Sequence, residues 1–505
     1  MRRFSITAIF VVLLQMPTFI MAGSHGATHG DNTTWNGGLL GGGWVCFKAL
    51  VAGCSQAFNA ACDGVTDDAP AWNSFLTYAS GVSDAKLYVP PGSSCVNGGT
   101  FGTTIPGGTV HVDGTKVPKL TIWAYGATFN NIYLGAVQTG GIFQDNTHNA
   151  LVQTVSAGSS TLTLVNSGDA SKFSAGKWII VSGLSTQRTG SYPPNWQVFE
   201  YHTVISVAGS TITLDSPLAY SYKSTWPHAD PGGASSGDLG GPASAFVLNN
   251  QWDQDLTIYG LHIPNQGNQV FTAARSITLN GVQLDNSISP SVSQSFNIIN
   301  SNIHDPEFDK LVDTLSLANV TMGAPFFQSA SLNNVKMVNV NVSGALTGSP
   351  TNITITNMTA PSIQIGAAFF GHSIGFTISN SKITSANFVA QYMLASDMSF
   401  SSGTFTVSKG ATVSALNRLF AWAIPGQEYY FAAGTAPPSN SVPHTQFKIT
   451  DFREDASNYY VDTDMGASLP TPTCSGGTCT HYLAYQAATV SQTNTGPADF
   501  TPYAP

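Results

Sequence analysis

Six ionisable side chains crowd into the ten residues HDPEFDKLVD at 304–313: His304, Asp305, Glu307, Asp309, Lys310 and Asp313. Charged residues make up 9% of the whole chain, against about 25% in ordinary soluble domains, so the cluster stands apart. Paired carboxyl groups suit acid–base work at a glycosidic bond. One stays protonated and delivers a proton while its ionised neighbour attacks or activates water; separations of about 5 Å go with retention and about 6.5 to 9.5 Å with inversion. Asp285, Asp305, Glu307, Asp309 and Lys310 are the candidate catalytic residues. A second chemistry, β-elimination next to a uronate carboxylate, needs a base and a neutralising cation. Lys310, Arg275 and His304 supply those types, and Arg275 and His304 are also read as substrate contacts.

Acids from separate segments meet only if the chain repeats, and it does. LTIYGLHI, ITLNGVQL, NIINSNIH, LSLANVTM, MVNVNVSG, ITITNMTA and FTISNSKI alternate apolar and polar residues around Gly260, Asn280, Asn300, Asn319, Asn339, Asn357 and Asn380, at steps of 20, 20, 19, 20, 18 and 23. A unit of that length buries its apolar face only against its neighbours. Twenty residues are too few for a strand plus a full helix, so the expected fold is all-β, a right-handed parallel β-helix. The asparagines are expected to stack as an internal amide ladder at about 4.8 Å per coil. Counting five residues past successive centres lands on Asp285 and Asp305. In register, two carboxylates at that spacing repel by roughly 3.5 kcal/mol at an effective dielectric of 20. One would then stay protonated, or a cation would sit between them. No cofactor is implied otherwise; calcium is the one ion this arrangement admits.

Composition agrees with strands and turns. The 50 glycines, 27 prolines and abundant Ser, Thr and Asn fit neither helical bundles nor coiled coils. A net charge of −9 argues against nucleic acid, and no segment is long and apolar enough to span a membrane. Met1-Arg2-Arg3, an apolar run from Ile6 to Met16 and Ala22 follow the order of a secretory signal, so a secreted protein is expected. Its six cysteines then suit disulfides. Cys46, Cys54, Cys62 and Cys95 allow three pairings, left open here, and Cys474 and Cys479 form a separate close pair.

One helix is credible. In DGVTDDAPAWNSFLTYAS, Asp67 or Asp68 can cap it, Pro70 suits its first turn, and Trp72, Phe75, Leu76 and Ala79 share a face. FNAACDGVTDDAPAW followed by KLYVPPG resembles the opening of the pectate-lyase-like β-helix superfamily, in which such a segment precedes a capping helix and a strand. That resemblance implies a capped solenoid in a group that includes polysaccharide lyases, glycoside hydrolases, epimerases and phage tailspikes. The NTD, GHG and RIK runs of its polygalacturonases and the Asp-rich calcium pattern of its pectate lyases are absent. AGSSTLTLVNSGDASKFSAGKWIIVSG with EYHTVISVAGSTITLDSPLAYSY is similar to a small antiparallel insertion in several of these proteins. Its loop aromatics Tyr192, Trp196 and Tyr201 are candidate sugar-stacking residues.

The expected organisation is a signal at 1–22, a cap and first coils at 23–110, coils at 111–149, an inserted β subdomain at 150–222, coils at 223–410 and a C-terminal cap or tail at 411–505. The expected function is a secreted enzyme that cleaves or rearranges a polysaccharide. Its rivals are a polysaccharide lyase and a non-catalytic glycan-binding adhesin. The expected partner is a polysaccharide; oligomeric state stays open, a trimer included. His262 and His372 read as packed or solvent-facing, and Gly233-Ala234-Ser235-Ser236-Gly237 as a Gly/Ser loop, not a nucleophile elbow.

Overall fold

The computed structural model describes residues 42–97, 101–102, 119–130, 132–133, 149–182, 199–219, 222, 244–247, 255–264, 274–285, 288, 292–308, 311–327, 332–348, 352–365, 375–388, 392–394, 399–408, 428–433, 445–464, 473–475, 478–484, 490–493 and 497–500. The expected signal at 1–22, Tyr192, Trp196, Asp309, Lys310, His372 and the 233–237 loop lie outside them.

Alternation of apolar and polar residues puts one side of each strand inside and one outside. Leu120, Leu256, Ile277, Phe296, Leu315, Val335 and Ile353 therefore stack in register along the axis, and all are buried. Parallel pairing runs from Trp44–Cys46 to Asp84–Tyr88 and Lys119–Phe129, then through Asp255–Ile263, Ser276–Asn280, Val292–Ile299, Leu311–Met322, Leu332–Val342 and Asn352–Ile365 to Gly375–Phe388. The fold is the right-handed parallel β-helix that the repeat requires. Among the described residues no helix is long and apolar enough to cross a membrane.

Each coil bends at one residue in the left-handed region. Asn300, Asn319, Asn339, Asn357 and Asn380 occupy it with φ of 50°, 56°, 55°, 56° and 49°, a conformation asparagine tolerates better than other side chains. Their amides form a continuous ladder. Asn319 donates to Asn300 at 2.9 Å, Asn339 to Asn319 at 3.0 Å, Asn357 to Asn339 at 3.0 Å, and Asn380 to Asn357. The ladder lies on the exposed outside of the bend and not inside the coil, because a left-handed corner residue turns its side chain away from the core. One register is also displaced. Asn280 pairs with Ile299, and its coil bends at Gly281, φ 71°. Asn280 closes the ladder by accepting from Asn300 at 3.2 Å. Glycine is needed at 281 and at 260 because Tyr125 covers both corners: a Cβ there would lie 2.6 and 2.0 Å from its ring.

The expected helix forms at Ala69–Ala79 and buries Trp72, Phe75, Leu76 and Ala79 against the first coils, plugging their open end. Asp67 Oδ1 accepts from the Ala69 amide at 3.1 Å. Asp68 is buried and serves elsewhere, accepting from the amides of Cys62 and Val96, both at 3.0 Å. Asp63 takes the Val65 and Thr66 amides and the Thr66 hydroxyl, which hold its carboxyl down at about 2. The opening motif is thus a knot of turns. Disulfides join Cys46 to Cys54 and Cys62 to Cys95.

Ile132–Tyr133 still pairs in parallel with Phe101–Gly102 and buries Ile132 in the coil core, and the next described coil strand starts at Asp255, Lys119 facing Asp255 and Leu120 facing Leu256. The insertion between them holds a six-stranded antiparallel sheet built from Asn149–Leu151, Thr161–Thr163, Trp178–Ser182, Phe199–Ala208, Thr211–Leu214 and Ser244–Val247. It therefore runs past residue 222, because Ser244–Val247 pairs with its central strand Trp178–Ser182. The coils end at Phe388 and not at 410. An antiparallel sheet spanning 392–484 follows, and Cys474 faces Cys479 in its Thr473–Ser475 hairpin. Val490–Thr493 and Pro497–Phe500 then fold back antiparallel on Gly375–Phe388, covering the last open edge.

Candidate active site

Beyond each bend a short strand carries one outward residue per coil. His262 faces Gln283, Gln283 faces Asn302, and Asn302 faces Thr321. Two residues further the chain turns, and there the charged cluster assembles. The Asp285 amide donates to Ile263 at 3.1 Å and the His304 amide to Leu284 at 3.0 Å, so Asp285 and His304 are partners on adjacent coils. Asp305 stands one position past that register. The count from Asn280 failed because the bend of that coil is at Gly281.

Two histidine–aspartate pairs result. His262 Nε2 lies 2.8 Å from Asp285 Oδ2, and Gln283 Nε2 donates to Asp285 Oδ1 at 2.9 Å. On the next coil His304 Nδ1 lies 3.0 Å from Asp305 Oδ2. Side-chain exposures of 33% and 39% in the first pair, 62% and 40% in the second, leave both open to a ligand. Asp305 Oδ1 is held from behind by the Ala324 amide at 2.5 Å, and Gly323 leaves room for it: a Cβ there would lie 2.1 Å from that oxygen.

The electrostatics follow. Partial burial would raise the Asp285 carboxyl, but hydrogen bonds from His262 and Gln283 and the charges of His262 and His304 outweigh it and hold the group below its ordinary value. Asp285 is ionised at neutral pH. Asp305 is not the residue opposite Asp285, as the count expected; His304 is, and each carboxylate meets a histidine and a second donor. What the arrangement offers is imidazole acid–base chemistry, each ring held by an aspartate carboxyl group.

Other expected residues fall elsewhere. Glu307 lies in the short strand Glu307–Phe308, paired with Phe326–Phe327, directly after the second pair. Arg275 forks onto Asp255 of the preceding coil, at 3.1 Å from Nε and 2.6 Å from Nη2, at the opposite end of its strand from Asp285. It belongs to a structural ion pair and not to the cluster. Tyr201 lies in the strand Phe199–Ala208 and not in a loop. Its buried ring stacks on Trp178 at 4.6 Å, and burial, with the nearby Asp313 charge, raises its hydroxyl well above 10. Packing accounts for that ring, since it has no free face for a sugar.

One titratable group escaped the sequence reading. His202 is buried in the inserted sheet between Glu200 and Asp215. The signal was the Glu-Tyr-His triplet in a strand, where residues two apart share a face.

No family model matches the chain, and no curated protein matches it. Its fold is similar to three solved phage proteins. The tailspike gp61 of Pseudomonas phage phi297 is 10% identical with a TM-score of 0.26, covering 83% of this chain and 92% of that one. The Gp54 tailspike of Acinetobacter baumannii bacteriophage AP22, in complex with A. baumannii capsular saccharide, is 9% identical with a TM-score of 0.23, covering 85% and 94%. The tailspike gp49 of Pseudomonas phage LKA1 is 10% identical with a TM-score of 0.21, covering 83% and 92%.

Proposed function

We propose that the chain is a secreted glycan-acting enzyme whose acid–base centre is the pair of histidine–aspartate couples His262–Asp285 and His304–Asp305. The observation that carries this reading is their placement on adjacent coils, both accessible, in a chain with so little charge to spend. When Asp285 accepts a hydrogen bond from His262 Nε2, the ring presents Nδ1 to a ligand. When Asp305 accepts from His304 Nδ1, that ring presents Nε2. One neutral ring then takes a proton while the other, protonated, delivers one to the leaving oxygen. Glu307, Asp309 and Lys310 follow in sequence and complete the candidate set, with Tyr192 and Trp196 as sugar-stacking candidates. Hydrolysis or rearrangement of a polysaccharide is the first reading. The second, β-elimination, is favoured by imidazoles standing where a carboxyl pair was expected.

The test is a polysaccharide panel read by product mass, reducing ends and ultraviolet absorbance. Reducing sugar without absorbance supports hydrolysis; absorbance from unsaturated uronate supports elimination. Binding without any product, unchanged in Asp285→Asn, makes the protein an adhesin and overturns the proposal.

A further inference from the structure

His202 is 3% exposed and meets a carboxylate at each ring nitrogen: Glu200 Oε2 at 3.0 Å from Nε2 and Asp215 Oδ1 at 3.2 Å from Nδ1. A neutral imidazole carries one N–H and satisfies one of these contacts; only the imidazolium donates to both. The Ser216 hydroxyl lies 3.1 Å from Nδ1 and 3.3 Å from Asp215 Oδ1, so it can donate to either. Glu200 also receives the Ala219 amide and the Tyr222 hydroxyl, both at 2.8 Å, and Tyr222 bridges back to Val155. The ring and its two acids thereby join the strand Phe199–Ala208 to Asp215, Ser216, Ala219 and Tyr222, which lead the chain out of the hairpin.

We propose that His202, Glu200 and Asp215 form a proton-operated clasp that fastens Asp215, Ser216, Ala219 and Tyr222 to the inserted sheet and loosens when the ring gives up its second proton. On deprotonation Nδ1 becomes an acceptor, the Ser216 hydroxyl turns from Asp215 to the ring, and the Asp215 contact is lost. Glu200 and Asp215 are the charged groups acting on the ring, and the residue across the adjacent strand is the apolar Ile179. Burial alone would lower the imidazole, but hydrogen bonds and charges from Glu200 and then Asp215 outweigh it and hold the ring above its ordinary 6.5. A raised value stabilises the folded form fully below 6.5, and that contribution disappears as pH rises through the folded value.

The experiment is hydrogen–deuterium exchange on the full chain across pH 5.5 to 9, from about one unit below to about two and a half above the ordinary histidine value, reading the His202 ring C2 position and the amides of Leu218, Ala219 and Tyr222 after correction for intrinsic rates. His202 titrating above 6.5, the Leu218, Ala219 and Tyr222 amides losing protection over the same interval, and both transitions moving to lower pH in Asp215→Asn support the clasp. A ring titrating at or below 6.5, or amide protection that ignores the ring's titration, overturns it. His202→Gln should abolish the pH dependence of protection; if it does not fold, Asp215→Asn alone decides, since it removes only the more exposed partner.

Discussion

At the scale of single residues, a histidine held in hydrogen-bond reach of an aspartate carboxylate is the working part of the site. Asp285→Asn keeps the shape of the site but replaces an acceptor-only carboxylate with an amide, so the His262 ring loses its orientation; turnover should fall about 10²- to 10⁴-fold with little change in melting temperature. His304→Gln should do the same, and parallel measurement of rate and thermal unfolding separates lost chemistry from lost structure. The acid side of the profile has a defined sign. Because the Asp285 carboxyl is held below its ordinary value, its contribution is complete above that value and declines as pH falls through the lowered one. Asp285→Asn should therefore flatten the acid limb of the rate profile, and an unchanged limb would assign it to another group. The residue types of this site were readable in the sequence, and Asp285, Asp305 and His304 were singled out. The pairing of His262 with Asp285 was not, because the register depended on whether Asn280 or Gly281 formed the bend, and alternating strands do not distinguish adjacent positions at a corner.

At the scale of elements, the corners are the informative places. Asn319 both occupies a left-handed corner and joins two ladder bonds. Asn319→Gly removes the bonds alone, while Asn319→Ala adds backbone strain of roughly 1–2 kcal/mol; denaturant unfolding should rank the alanine variant below the glycine one. Gly260→Ala forces a Cβ into the Tyr125 ring at φ 64° and should be more disruptive than either. Adding Tyr125→Ala should recover only the ring's share of the clash, because the new Cβ would still lie 2.5 Å from the Tyr125 Cα at a left-handed φ. The asparagine repeat was visible in the sequence as a period. Its outward placement was not, since periodicity reports spacing and is silent on which way a corner points. The capping helix was legible for the opposite reason: Pro70 and the Trp72, Phe75, Leu76 and Ala79 face are local signals.

At the scale of the molecule, a solenoid closed at both ends carries an insertion that breaks no coil. Leu120 and Ile122 face Leu256 and Ile258 across the gap, so replacing 134–253 with a short linker, which keeps the core residue Ile132, should leave the β-sheet circular dichroism and cooperative unfolding of the coils in place. Loss of folding would show that the inserted sheet is part of the core. The extent of that insertion and of the C-terminal sheet was not legible, because antiparallel pairing over long separations leaves no period. The central claim belongs at this scale too, for only stacked coils bring residues 262, 285, 304 and 305 together. Its most direct test is the mass of products from a polysaccharide panel incubated with the wild-type chain and with Asp285→Asn under identical conditions. Fragments from the wild type on at least one glycan, reduced about a hundredfold or more in the variant, are the predicted result; equal fragments from both, or none from the wild type on any glycan, would contradict it.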